Sequence, residues 1–306
     1  MRSSRLLLAA AALLASQLAL ADYRVGITIA KVDDNFMTYI RNNLVDAAKE
    51  QHIQVQVQDA QGDVVRQLSQ VEDFLAQKVD AVIVLPADTA GAVNITRAAT
   101  AAKVPLVYVN RRPDEKTLPP GVAAVTSNDI EAGQLQMRYL AEKMGGKGNL
   151  AIIMGDLVNN ATLGRTEGLK QVLKQYPDIK IVGEQTALWQ RDKGMDLTSN
   201  WLLAGTRIDG IAANNDEMAI GAAMALKQAG QQDTPVVGID GLPDGLAAID
   251  KGLLAASVFQ DPKAQAQAAV AIALKMIQGE QVSGDTFVPF QLIKPDQVPL
   301  FAARFK

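Results

Sequence analysis

Cysteine is missing from this chain of 306 residues, which removes disulfides, thiolate metal sites and cysteine nucleophiles together. Histidine is nearly missing: His52 is the only one. It lies between a predicted helix and a predicted strand with no partner for a metal site or a catalytic triad, and reads as a solvated loop residue. Basic runs are absent as well. Thirty Lys and Arg stand against 33 Asp and Glu, for a formal charge of −3, and no cluster of cations offers a footprint for phosphate backbones, so nucleic acid is not a partner. No Gly-x-Ser-x-Gly elbow and no Asp-x-Asp-x-Asp-Gly loop occurs, which argues against a serine hydrolase elbow and a calcium loop. Gly145-Gly-Lys-Gly148 resembles a phosphate loop only superficially. It lacks the following Ser or Thr and precedes a strand, so a helix-ending turn accounts for it. Nothing calls for a metal or cofactor.

The only long apolar run is at the beginning. Arg2 and Arg5, the run from Leu6 to Ala15 and then Ala19-Leu20-Ala21 have the charged, hydrophobic and small-residue regions of a secretory signal peptide, with cleavage expected after Ala21. Ser16-Gln17 interrupts the run well short of the roughly 20 residues a membrane span needs. The expected destination is the periplasm, and loss of the two arginines takes the charge to −5. Residues 22–306 are too many for one ordinary core and suit two domains.

What is present is a repetition. Pro105-Leu-Val-Tyr-Val-Asn-Arg-Arg-Pro-Asp114 recurs 130 residues later as Pro235-Val-Val-Gly-Ile-Asp-Gly-Leu-Pro-Asp244, and residues 74–83 are echoed by 202–211. In the first pair an apolar run stops at one polar side chain, Asn110 or Asp240, where a buried parallel strand delivers its carboxyl end to a crevice. Short aliphatic runs alternate throughout with amphipathic stretches of about a dozen residues, the pattern of doubly wound parallel sheets. Strands are expected at 23–29, 54–59, 81–85, 105–109 and 123–126 in the first half, and at 149–154, 180–183, 210–213, 235–239 and 255–259 in the second. A helix over 262–277 and one strand over 286–292 remain. The economical assignment sends that helix to the first domain and the strand to the second, with crossings near 126–128, 260–261 and 288–289. The domains are then 22–126 with 261–287 and 127–260 with 288–306. Three crossings make a hinge that allows closure around a ligand.

Val236-Val-Gly-Ile-Asp-Gly-Leu-Pro-Asp-Gly245, Ala213-Asn-Asn-Asp-Glu-Met-Ala-Ile-Gly-Ala222 and Asp34-Asn-Phe36 resemble the ribose-binding type of periplasmic sugar-binding protein, and the resemblance covers essentially all of residues 22–306. Val107-Tyr-Val-Asn-Arg-Arg-Pro113, Glu184-Gln-Thr-Ala-Leu-Trp189 and Val258-Phe-Gln-Asp261 are most similar to binders of inositol and the related rhizopine. The resemblance implies a periplasmic-binding-protein type I fold. It implies capture of a small polyol or sugar for a membrane ATP-binding-cassette permease, by a monomer without enzymatic activity; a chemoreceptor is a further candidate partner.

The candidate ligand residues are Asp34, Phe36, Asn110, Arg111, Arg165, Trp189, Asn215, Asp240 and Gln260. Phe36 and Trp189, one from each half, are placed to sandwich the CH-rich faces of a ring, the plain alternative for Phe36 being ordinary packing. Arg111 and Arg165 are fork-shaped donors for neighbouring hydroxyls, or else surface ion pairs. Asn110-Arg111 stands where ribose binders place Asp-Arg, and Asp34 where they place Asn, both of which turn the expectation toward myo-inositol or another cyclitol and away from ribose. Asp240 otherwise caps a turn. At Asn215 the choice stays open, since Asn214 or Asp216 could be the contact while the others cap the helix. Gln260 falls at the second crossing. Ribose or a hexose such as galactose or glucose is the alternative ligand. A repressor core lacks its basic DNA-binding helices here. A secreted glycoside-acting enzyme using Asp34 and Asp240 is the remote alternative.

Overall fold

The computed structural model describes residues 23–32, 35–282 and 284–305. The expected signal peptide and Asp34 lie outside these residues. The first half alternates β1 (Arg24–Ile29), α1 (Asn35–Glu50), β2 (Gln54–Asp59), α2 (Val64–Ala76), β3 (Ala81–Val84), α3 (Ala92–Ala102), β4 (Leu106–Asn110) and β5 (Val122–Thr126). The second half repeats the plan with α4 (Asp129–Lys143), β6 (Lys147–Met154), α5 (Asn160–Leu173), β7 (Asp178–Thr186), α6 (Arg191–Leu203), β8 (Gly210–Ala213), α7 (Asp216–Gln228), β9 (Val236–Asp240), α8 (Pro243–Asp250) and β10 (Ala256–Phe259). The closing elements are α9 (Pro262–Ile277), β11 (Gly284–Phe287), β12 (Gln291–Ile293) and the short α10 (Val298–Ala302).

Two six-stranded sheets result, in the orders β11-β5-β4-β3-β1-β2 and β12-β10-β9-β8-β6-β7. Counterparts in the repeat occupy the same places, and every pairing is parallel except β10 with β12. This is the periplasmic-binding-protein type I architecture. The central strands are buried on both faces because successive residues feed different cores. Ala81 and Ile83 join the core under α1 and α9, while Val82 and Val84 join the one under α2 and α3. In the second sheet Ile153 and Ala213 face α6, α7 and α8, while Ile152 and Ala212 face α4 and α5.

Helix α9 packs on α1 and on β3, β4 and β5 of the first sheet. The tail departs from expectation. In place of one strand over 286–292 there are two, β11 beside β5 in the first sheet and β12 antiparallel to β10 in the second. Pro289 lies between them and has no N–H to extend a ladder. The edge strand β7 is longer than expected, since its exposed polar residues still pair with β6 through a bulge at Leu150 and Ala151. His52 is an exposed turn residue, and Gly145 and Gly146 form a positive-φ turn between α4 and β6. Among the described residues no helix is long and apolar enough to cross a membrane.

Candidate functional site

The carboxyl ends of the two sheets face one another, and the side chains there are set by strained backbone. Asn110 ends β4 with φ 67°, Asp240 ends β9 with φ 133°, and Trp189 follows β7 with φ 68°. Non-glycine residues seldom adopt these conformations, which concentrate where a side chain must be aimed. Asn110, Arg111, Arg165, Asn215, Asp240 and Gln260 are all at least 93 % buried, so each polar group needs a partner.

Arg165 is the centre of the arrangement. Its Nε donates to Asp129 Oδ1 at 2.9 Å, Nη1 to the Asn214 carbonyl at 2.6 Å and Nη2 to Gln260 Oε1 at 3.1 Å, while Asp240 Oδ1 lies 3.9 Å from Nη1. Its guanidinium lies 5.6 Å from the Trp189 ring and 5.8 Å from that of Phe290. Arg165 is thus a buried hub, not a surface ion pair. It reaches this place because α4 and α5 approach almost backbone to backbone: a Cβ on Gly133 would lie 1.9 Å from the Arg165 carbonyl oxygen, and one on Gly168 would lie 2.0 Å from that of Ile130. Burial pushes the Asp129 carboxyl above its ordinary range, and Arg165 pulls it back.

The other polar residues are fixed in the same way. Asn110 Nδ2 donates to Gln265 Oε1 at 3.2 Å, and Gln265 in turn donates to Ser127 at 2.8 Å. Arg111 Nη1 donates to the Pro86 carbonyl at 3.0 Å. The Gln260 N–H donates to the Asp240 carbonyl at 3.0 Å. The cap of α7 falls to Asn215 itself: its Oδ1 accepts from Met218 N–H at 3.0 Å, and its Nδ2 donates to the Trp189 carbonyl at 3.2 Å. Neither neighbour caps the helix. Asn214 turns to the Gly155 N–H, and buried Asp216 accepts from Gly241 N–H at 2.8 Å and Ser257 Oγ at 2.6 Å. Burial raises the Asp216 carboxyl to about 6. Trp189 lies over Gly155, where a Cβ would come within 2.2 Å of the indole.

Phe36, Asn110, Arg111, Arg165, Trp189, Asn215, Asp240 and Gln260 line one cavity, completed by Met37 and Ala161. Phe36 also belongs to the first core, so packing and lining are combined in one ring. The space between these side chains is about 20 Å³, room for one water molecule. A six-membered ring takes on the order of 150 Å³, so it enters only when the two walls separate. Among the described residues four hydrogen bonds span those walls: Asn35 Nδ2 to Glu217 Oε1 at 2.7 Å, Thr89 Oγ1 and N–H to the Val158 carbonyl at 3.1 and 3.4 Å, and Asn160 Nδ2 to the Arg112 carbonyl at 3.1 Å. Beyond Met37, Arg111 and Trp189 the cavity adjoins a cleft of about 890 Å³. Among the described residues no three metal-ligating side chains cluster. Sequence reasoning did not single out Met37, Ala161, Asp129 or Gln265; only Met37, beside Phe36, carried a signal.

Two matching α/β units joined by three crossings, with buried hydrogen-bonding groups and aromatic rings between their carboxyl ends, define a two-lobed binder of small hydroxylated molecules. The chain belongs to the periplasmic binding protein domain family, whose profile matches residues 25–281. A protein of Rhizobium meliloti assigned to rhizopine binding is 45% identical over 290 residues, 93% of this chain and 94% of the relative. A xylitol-binding protein of Mycolicibacterium smegmatis is 35% identical over 276 residues, 90% of this chain and 78% of the relative. Among solved structures, an ABC transporter solute binding protein from Bacillus halodurans with bound myo-inositol superposes with a TM-score of 0.89 at 37% identity, covering 94% of this chain and all of that one. Ribose import binding proteins are also among the relatives. The resemblance to ribose-type sugar-binding proteins near the inositol binders therefore holds, and the protein is a sugar-binding protein of the ABC importer type, in a family whose members bind substrates.

Proposed function

We propose that the protein is the substrate-binding component of an importer for a cyclitol, myo-inositol or a near relative, and that it works in the periplasm after cleavage behind Ala21. The observation that carries this reading is the meeting of Arg111, Arg165, Asp240 and the amides of Asn110, Asn215 and Gln260 with Phe36 and Trp189 around one buried space. Fork-shaped cations and amides span neighbouring hydroxyls, and charge-assisted bonds are the strong ones. The rings cover the apolar faces of the same molecule. Asp34, beside Phe36 in sequence, is assigned to the ligand as a second carboxylate. The amide at Asn110 and the relatives that bind inositol and assigned to rhizopine support a cyclitol over ribose or a hexose.

The mechanism is closure. Lobes 22–126 with 261–287 and 127–260 with 288–306 turn about the three crossings, and a ligand touching both walls stabilises the closed form by its differential affinity for it. The closed monomer is then read by a membrane permease, and a chemoreceptor is a second candidate reader. No bond of the ligand is broken; release of reducing sugar from any glycoside would sink the pure-binding reading. The test is calorimetric titration of protein unfolded and refolded to strip retained ligand, against myo-inositol, ribose, glucose and galactose. Tight single-site binding of myo-inositol alone is expected. Binding of ribose or a hexose in its place would overturn the cyclitol assignment and leave the mechanism standing.

A further inference from the structure

The candidate cavity does not end at Trp189. Met37, Arg111 and Trp189 line both it and the neighbouring cleft, whose roughly 890 Å³ lies in the range that encloses a whole small ligand. One wall of this cleft holds Asn159, which is 3 % exposed and stands immediately before α5. Asparagine at such a position ordinarily caps the helix, yet this side chain makes no cap bond. Its Oδ1 is buried and accepts no hydrogen bond among the described residues, and the buried Nε1–H of Trp189 likewise has no acceptor there. Both atoms lie beneath the surface of side chains that line the cleft, and once its walls separate to admit a ligand they are the complement of hydroxyl groups, which both donate and accept.

The charges of the cleft narrow the chemistry. Lys31, Arg111 and Arg191 face Asp88, Asp156, Asp192 and Glu217. Arg191 is already committed to Glu217 at 2.7 Å and to Asp244 at 2.7 Å. Four carboxylates against three cations leave the lining with an excess of negative charge, which disfavours a phosphate or carboxylate group. We infer that this outer cleft is a second subsite, taking a neutral hydroxylated substituent such as a glycosyl group carried by the ring held in the inner cavity. The inference rests on the reading of that inner cavity as a ring site.

The experiment is parallel titration of the purified protein with myo-inositol, its galactoside, its monophosphate, galactose and a digalactoside. The galactoside of myo-inositol is expected to bind within threefold of the free cyclitol or tighter, and the monophosphate at least tenfold more weakly than the galactoside. Asn159→Ala removes no cap bond and is expected to unfold at the wild-type temperature. It should weaken the galactoside about tenfold while leaving myo-inositol within twofold. A parent ring that binds while its galactoside binds over a hundredfold more weakly would overturn the subsite and leave the ring reading standing, and so would an equal effect of Asn159→Ala on both. If only the galactose pair binds, the cyclitol reading falls and the subsite is judged by the same ratio. If nothing binds, both fall.

Discussion

Replacing Arg165 with alanine takes away the cation that hydrogen-bonds Asp129 and leaves it only the weaker field of Arg111. The carboxylate at Asp129 would then sit at the approach of α4 and α5 without its hydrogen-bonded cation, and breaking a buried pair in this way costs about 3–5 kcal/mol. The Asp129 side chain keeps 17 % of its exposure, which sets the expected loss at the lower end, about 3 kcal/mol. The loss also has a pH signature. Burial already holds the Asp129 carboxyl high, and without Arg165 it rises further. A carboxyl whose folded value exceeds its unfolded value of about 4 contributes stability that is fully present below that value and is lost as pH rises through the folded one. The variant should therefore fall furthest behind wild type near pH 7.5 and recover part of the deficit near pH 4.5. The assay is denaturant unfolding at both pH values, followed by tryptophan fluorescence and circular dichroism to check that the transitions coincide. Adding Asp129→Asn to Arg165→Ala should restore at least half of the loss, as a double-mutant cycle reads coupling. A deficit under 1 kcal/mol at pH 7.5, or one equal at both pH values, would refute the picture of Arg165 as the compensating hub.

Burial raises Asp216 to about 6, so wild-type stability should contain a component on the order of 3 kcal/mol that is present below pH 4 and lost as pH rises through 6. Asp216→Asn keeps an acceptor for Gly241 and should flatten that part of the profile in thermal unfolding from pH 4 to 8; an unchanged slope would discard it. Asp240→Ala or Arg111→Ala should each weaken ligand binding by about 2 kcal/mol or more in calorimetry, as expected for a buried charged hydrogen bond, and unchanged affinity removes that residue from the site. Gly155→Ala places a methyl against the Trp189 indole, and it should lower affinity at least tenfold and abolish the ligand-induced fluorescence change; wild-type behaviour would show that the indole does not cover the ligand.

The regular elements were legible because burial on both faces of a parallel strand leaves an uninterrupted aliphatic run, as in Ala81–Val84 and Gly210–Ala213. The repeat then pointed to Asn110 and Asp240 as the residues where each run meets the crevice. The edges were harder to read. Strand β7 is held by its ladder while most of its side chains face solvent, so no hydrophobic period marks its ends. The split of 286–292 into β11 and β12 hung on Pro289, whose effect depends on which sheet each side joins. Asp129 was invisible for a different reason. It opens α4 behind the capping Asn128, where an acidic residue is ordinary, and only the approach of α5 turns it into a partner for Arg165.

Asn110 and Asp240 are the last residues of strands whose remaining side chains are wholly absorbed in the cores. The ladder and the packing fix where these two side chains stand, while their chemistry makes little contribution to either. On the proposed reading, selection can alter what such a molecule recognises one wall at a time by exchanging a terminal residue for another that tolerates the positive φ found there. Gene duplicates can diverge toward new nutrients along that route, and the same two positions are the natural starting point for retuning the protein as a biosensor.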